Sequence, residues 1–500
     1  VVRDPELDPA RARELALGAA PSPHAVLRWP PSIGVDELLD TLLAVDGLHA
    51  GGSCIVIAPS ARECARHVEL LRSRGLAAVM LRADQSPRLR TSAWMRARRG
   101  NCVVVGGRLA AWAPLPDLYR TVVLDDLDES LQEERAPIWH ARDLCVERTH
   151  RLGAKVAVMS PVPSLESTER ALHVFAPSRT TERAGWPVIE VVDRREDSTT
   201  PGVFSSDLAQ AIRRTLEKET IPGGNRVLCV LNRRGRARLL ACRECRNIVR
   251  CENCGAAAAE DPSADPVELV CPRCSQRWPR LCTGCGGMRL SVLRAGITQI
   301  ARELAAFTRV EVGEVDVASD VVPDAPVLVG TEAVLHRVER AGLVAFLDFD
   351  QELFAPRYRA GEQALWLLVR AARVVGPRSG GGHILVQTRT PHHEVIQAAV
   401  HADPDLFLLP ERAQRSELGL PPFGAVAQLT GSDAALDSVR TALGDAGSAD
   451  QGVSVGGHSG SDLSVRATDS ALLANALASA LPAARTLGRL RVLVDPPRSL

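Results

Sequence analysis

Eight of the thirteen cysteines form one block of four Cys-x-x-Cys pairs: Cys242 with Cys245, Cys251 with Cys254, Cys271 with Cys274, and Cys282 with Cys285. Two sulfurs three positions apart on a tight turn can grip one ion from the same side. Zinc takes four such ligands in a tetrahedron, so four pairs imply two closed sites and an expected cofactor of two zinc ions. Closed all-cysteine sites leave no position for water or substrate, so the expected role is structural. Gly255 and Gly284 suit turns whose amides point at thiolate sulfur. A redox dithiol needs one such pair, not four. A disulfide framework belongs to a small secreted chain, whereas this one has 500 residues and opens with V-V-R-D-P-E-L-D-P, unlike a signal peptide. Spacing leaves open which pairs combine, since adjacent and nested pairings are both geometrically possible.

The other five cysteines, Cys54, Cys64, Cys102, Cys145 and Cys229, lie scattered in apolar or helical contexts and read as reduced core residues of a cytoplasmic protein. No apolar run is long enough to span a membrane, so no membrane partner is expected. Formal net charge is zero, but between Arg226 and Arg250 eight arginines face a single acid, Glu244. That stretch either tracks phosphates or is a solvated face. The whole chain holds only two lysines, Lys155 and Lys218.

The elements that must carry these residues alternate. Short apolar runs at 54–58, 102–106, 121–124 and 155–160 are separated by helical patterns of ten to fifteen residues, one of them near Asp36 to Val45. That rhythm indicates a parallel α/β sheet. A second set follows, with runs at 188–192, 226–232, 326–330, 343–348 and 383–388, and the cysteine block interrupts it. Beyond residue 421 the composition turns to Ala, Gly, Ser and Asp, which suits a small α+β domain. The expected organisation is a lead-in over 1–25, a first α/β lobe over 26–187, a second over 188–235 and 290–415, a zinc module over 236–289, and a C-terminal domain over 416–500.

Several strings then resemble one family. W-H-A-R-D-L (139–144), P-S-L-E-S (163–167), L-N-R-R-G (231–235), L-V-G-T-E (328–332), F-L-D-F-D (346–350), L-G-L-P-P-F (418–423) and R-V-L-V-D-P (491–496) occur in the order and spacing of the bacterial replication-restart helicases, the PriA family. The resemblance implies two RecA-like helicase lobes in tandem, with a two-zinc module inserted in the second. It implies nested zinc pairing: Cys242, Cys245, Cys282 and Cys285 in one site, and Cys251, Cys254, Cys271 and Cys274 in the other. It implies forked and single-stranded DNA as ligands, with primosome proteins, the replicative helicase and single-stranded DNA-binding protein as partners of a monomer at the nucleoid. Arg142, Arg233 and Arg234 become candidate phosphate contacts, and Trp139 a candidate base contact. The family's DNA-end-binding and winged-helix domains would precede residue 1.

The motor motifs depart from the family. A phosphate loop needs glycine-rich amides, a Lys for the β/γ oxygens and a Ser or Thr for magnesium. Here, after Gly34, Val35 stands where the Lys should be and Asp36 where the Thr should be. The acidic motif reads Asp125, Asp126, Leu127, Asp128 in place of D-E-x-H, and P-V-P (161–163) replaces A-T-P. In 369–376 Arg373 remains, but Gly376 replaces the terminal arginine that would neutralise transition-state charge. ATP and magnesium are therefore not expected as cofactors. The expected function is fork binding and helicase loading without ATP-driven unwinding. The rivals are an active 3′-5′ helicase with a divergent nucleotide site and a zinc-dependent nucleic-acid adaptor.

Overall fold

The computed structural model describes residues 16–45, 52–135, 138–195, 204–217, 225–231, 240–261, 266–271, 274, 276–292, 297–315, 321–444, 452–458 and 462–496. The chain divides into two compact units, Val2–Gly185 and Trp186–Leu500.

In the first unit the apolar runs become strands β1 (His24–Arg28), β2 (Ser53–Ile57), β3 (Ala78–Met80), β4 (Val103–Gly106), β5 (Leu118–Leu124), β6 (Lys155–Ser160) and β7 (His173–Phe175). They form one parallel sheet in the order β3-β4-β2-β5-β6-β1-β7. Period-two alternation sends successive side chains to opposite faces. Leu27, Cys54, Val56, Val103, Val105 and Val122 meet helices α1 (Asp36–Val45) and α2 (Ala61–Ser73). Val26, Ile55, Ile57, Val104, Val123 and Val158 meet α3 (Pro87–Arg98) and α4 (Ala141–Leu152) on the other side. Burial on both faces explains why β2, β4, β5 and β6 read as unbroken apolar runs.

Local chemistry sets the helix starts. Ser60 and Glu63 form a capping box at α2, and Ser86 caps α3 with Pro87 in its first turn. Two short helices, α5 (Leu165–Arg170) and α6 (Arg179–Ala184), begin at Ser164 and Ser178. The expected lead-in over 1–25 is corrected in part. Ala16, Ala19 and Ala20 are buried in the core, and β1 lies inside the sheet between β6 and β7. Prolines flanking that run, Pro21, Pro23 and Pro30, hid a five-residue strand.

The second unit carries β8 (Val188–Asp193), α7 (Ser206–Glu217) and β9 (Val227–Val230), then the cysteine module with β10 (Leu240–Cys242), β11 (Ala259–Asp261), β12 (Glu268–Val270), β13 (Arg277–Pro279) and β14 (Leu290–Val292). It resumes with α8 (Ile297–Thr308), β15 (Val312–Val315), β16 (Val327–Gly330), α9 (Ala333–Arg337), β17 (Leu343–Phe346), α10 (Asp350–Leu353), α11 (Ala360–Val375), β18 (His383–Thr388), α12 (Glu394–Val400) and α13 (Asp405–Glu417). Its sheet is parallel throughout, in the order β8-β18-β17-β9-β16-β15. The module therefore leaves from a strand that is central in this sheet, and its own two small sheets are antiparallel. Strand β19 (Ala425–Gly431), α14 (Asp433–Gly444), β20 (Val453–His458), β21 (Asp462–Ala467), α15 (Ser470–Leu487) and β22 (Leu490–Val494) then form an antiparallel sheet, β20-β21-β19-β22, packed on two helices.

Candidate functional site

Each described cysteine turn repeats one pattern. The amide of the first cysteine donates to the carbonyl five residues on: Cys242 to Asn247 at 2.9 Å, Cys251 to Ala256 at 2.8 Å, Cys271 to Gln276 at 2.8 Å, and Cys282 to Gly287 at 2.8 Å. In three of them the residue four positions on closes the turn with positive φ: Arg246 at 63°, Gly255 at 71° and Gly286 at 74°. Glycine takes that conformation without steric cost. Gly255 closes its turn, the Gly284 amide points at the Cys282 sulfur as the sequence suggested, and Gly286, which the sequence reading did not single out, supplies the positive φ of that last turn.

Pairing of the strands decides how the turns combine. Strand β10 pairs antiparallel with β14 and carries Cys242 to Leu290, so the first and last turns meet. Strands β11 and β12 form a hairpin that returns Cys271 to the second turn. The result is two groups, Cys242/Cys245/Cys282/Cys285 and Cys251/Cys254/Cys271/Cys274, with all sulfurs in each within 4.8 Å of one another. The closest sulfurs lie 3.6 Å apart in the first group, and 3.5 and 3.4 Å apart in the second. A disulfide would need about 2.05 Å. A tetrahedron with metal–sulfur bonds of about 2.3 Å has edges near 3.8 Å, so each group could hold a metal ion. Amides support the sulfurs, for example Glu244 N–H to Cys242 Sγ at 3.4 Å.

No family model matches the chain. "Replication restart protein PriA" of Bacillus subtilis is 25% identical over 408 residues, covering 77% of this chain and 50% of that protein. "Probable replication restart protein PriA" of Mycobacterium tuberculosis is 29% identical over 443 residues, covering 84% and 66%. The chain is a homologue of the bacterial PriA proteins. It spans about half to two thirds of the length of these PriA relatives. Among solved structures, Saccharomyces cerevisiae Dbp5 bound to RNA and ADP BeF3 aligns with 83% of this chain and 98% of its own, at 11% identity and a TM-score of 0.44.

The loop over 30–37, expected from the sequence at the place of a phosphate loop, is tied to the rest of the first unit by its own backbone. Ser32 donates its amide (3.2 Å) and its hydroxyl (2.5 Å) to the carbonyl of Gly185, and the Ile33 amide goes to Pro30 O at 3.3 Å. Gly185 is required there, because a Cβ would stand 2.2 Å from Pro30 Cβ. Gly34 is exposed, Val35 packs into the sheet core, and Asp36 opens α1 with its carboxylate 3.4 Å from Arg66 and 3.7 Å from His67. Lys155 reaches Ala20 O at 3.1 Å and lies over Tyr119, while Lys218 lies outside the described residues.

Asp126 is fully buried. Its carboxylate accepts from Ser164 Oγ and Ser167 Oγ, each at 2.5 Å, and from the Ser164 amide at 3.3 Å. Arg142 stands 3.7 Å away, and its guanidinium also meets Asp143 at 3.1 Å, Ser164 Oγ at 2.9 Å and Glu166 at 3.9 Å. Burial works to raise the Asp143 pKa, but Arg142, His140 and Arg170 together hold it well below the usual carboxylate range. The sequence offered Arg142 as a phosphate contact. That is corrected: at 2% exposure it pins the P-S-L-E-S segment to the end of β5. Asp125, beside it, takes a left-handed φ of 55°.

Trp139 packs edge-on against Trp112, with centroids 5.6 Å apart, and leans on the core. Arg233 and Arg234 lie outside the described residues. Arg373, on α11, sits 5.2 Å from the Trp366 ring. From the arginine-rich stretch, Arg250 stacks 4.4 Å over Phe354, one wall of a cavity of about 330 Å³ that joins the cysteine module to its own lobe. Sequence reasoning missed that seam, as it missed Ser164 and Ser167 as partners of Asp126. The string P-S-L-E-S was visible, but the partner lies 38 residues away.

Proposed function

We propose that this chain is the zinc-stapled core of a replication-restart protein that binds forked DNA and helps load the replicative helicase without hydrolysing ATP. Two zinc ions, one per four-cysteine group, would hold the module. Their chemistry there is to lock four thiolates into one geometry, and the thiolates leave no open position for a reaction. The carrying observation is the loop over 30–37: its Ser32 and Ile33 amides are bonded to Gly185 O and Pro30 O, Val35 packs against the core where a phosphate loop needs a lysine, and Asp36 puts a carboxylate at the start of α1. Similarity to proteins named for replication restart supports forks as the substrate class, with primosome proteins and single-stranded DNA-binding protein as partners.

ATP turnover with and without forked DNA tests this reading. The expected result is no DNA-stimulated turnover, alongside fork binding and two equivalents of zinc. Saturable ATP binding abolished by mutating Val35 and Asp36, with fork-stimulated hydrolysis, would establish the active helicase instead. Equal affinity for forked DNA and RNA would establish the adaptor.

A further inference from the structure

Helix α3 has a surface that neither the cysteine module nor the nucleotide loop explains. From Ser86 to Asn101 the chain carries five arginines and no acid. Two of them are structural: Arg90 donates to Ala83 O at 3.1 Å, and Arg96 to Gly100 O at 2.7 Å and Asn101 O at 3.0 Å. The other three, Arg88, Arg98 and Arg99, are exposed, and among the described residues none has an acidic partner. The buried side of the helix is Ala93 and Ala97, with Trp94 packed beside them.

Helical spacing puts Arg88, Ser92, Met95 and Arg99 (i, i+4, i+7, i+11) on one outward stripe, with Arg98 at its flank. Eleven steps at about 1.5 Å give the stripe a length of about 16 Å. One strand of B-DNA carries roughly five phosphates over that rise, at about 3.4 Å each. Stability does not account for the pattern. Cations in the last turn suit the helix dipole, but Arg88 stands in the first turn, where the dipole disfavours it and where no acid offsets it.

We propose that the outer face of α3 is a contact surface for the DNA phosphate backbone, with Arg88, Arg98 and Arg99 as phosphate donors. The stripe presents guanidinium forks and the Ser92 hydroxyl, groups that phosphate oxygens accept from, beside the exposed Leu89 and Met95. The inference rests on the reading of the chain as a DNA-binding protein and adds to it where the backbone runs.

The test measures binding of labelled duplex and forked DNA across a salt series for the whole chain and for R88A/R98A/R99A. R440A/R485A, two exposed arginines elsewhere, is the control. Thermal melts should be unchanged for both variants, since the side chains removed are exposed. The expected result is at least tenfold weaker binding at low salt for the triple variant. The slope of log K against log salt should also drop by about two to three, since each phosphate no longer neutralised changes it by about 0.9. The control should match the wild type. Unchanged slope and affinity in the triple variant, an equal weakening in the control, or displacement of DNA by poly-glutamate at matched charge concentration would overturn the α3 assignment and leave the fork reading standing. Absence of DNA binding by the wild-type chain would overturn both.

Discussion

The second acid of the degenerate motif gives the sharpest prediction, because its burial states what it is for. Replacing Asp126 with Ala removes the acceptor for two hydroxyls at 2.5 Å and one amide at 3.3 Å, and takes away one of the carboxylates facing the buried Arg142. A buried donor left unpaired costs about 1–3 kcal/mol, and breaking a buried charge pair about 3–5 kcal/mol. Arg142 keeps Asp143 and Glu166, which limits the damage, so the sum is roughly 4 kcal/mol. At ~2–4 °C per kcal/mol for a unit of this size, the melting transition of the first lobe should fall by roughly 10 °C. Asp126→Asn, which keeps one acceptor, should be destabilised about half as much. Asp84→Ala breaks an exposed pair with Arg82 at 3.0 Å and should cost less than ~1 kcal/mol. Calorimetry on the three variants reads these values directly. If Asp126→Ala melted within ~2 °C of the wild type, the structural role would be wrong, and Asp126 would return as a candidate for metal or water positioning.

Two other perturbations separate alternatives cleanly. With nested pairing, Cys251→Ser/Cys274→Ser empties one site and spares Cys242/Cys245/Cys282/Cys285, so metal analysis should find about one zinc per chain in place of two; adjacent pairing would spoil both sites and give none. His393 caps α12 through Nδ1 at 3.2 Å from the Val395 amide, and its pKa is lowered to about 4 by burial, with Arg250 adding to the effect. Its folded pKa lies below the unfolded value of 6.5, so the unfolded chain takes up the proton first. The stability this contributes is fully present above pH 6.5 and falls as pH drops toward 4, by up to roughly 3 kcal/mol. His393→Asn keeps a cap and should flatten that part of the stability–pH curve. An identical wild-type and variant pH profile would show that the imidazole stays as protonatable as in water.

Much of the architecture was legible in local pattern. The runs at 155–160 and 383–388 are strands β6 and β18, and the helical pattern near Asp36 to Val45 is α1, because burial on both sheet faces and one-sided helix packing write periods that survive in sequence. The five scattered cysteines are buried free thiols for the same reason. What failed was anything needing a distant partner. Strand β1 was masked by its prolines, and Arg142 was read by its charge when its surroundings, Asp126 and Glu166, come from other segments.

By itself the sequence determined the four cysteine turns, since each closes through hydrogen bonds within five residues, and it determined that the lysine and threonine of a phosphate loop are missing. Tertiary structure alone decided that the first turn faces the last and the second faces the third, because two short antiparallel pairings carry those sulfurs together. It also decided that Asp126 is locked away and that Arg88, Arg98 and Arg99 are not. Charge is a property of the residue, but whether a charge meets water, a partner or a phosphate is set by which other segments fold over it.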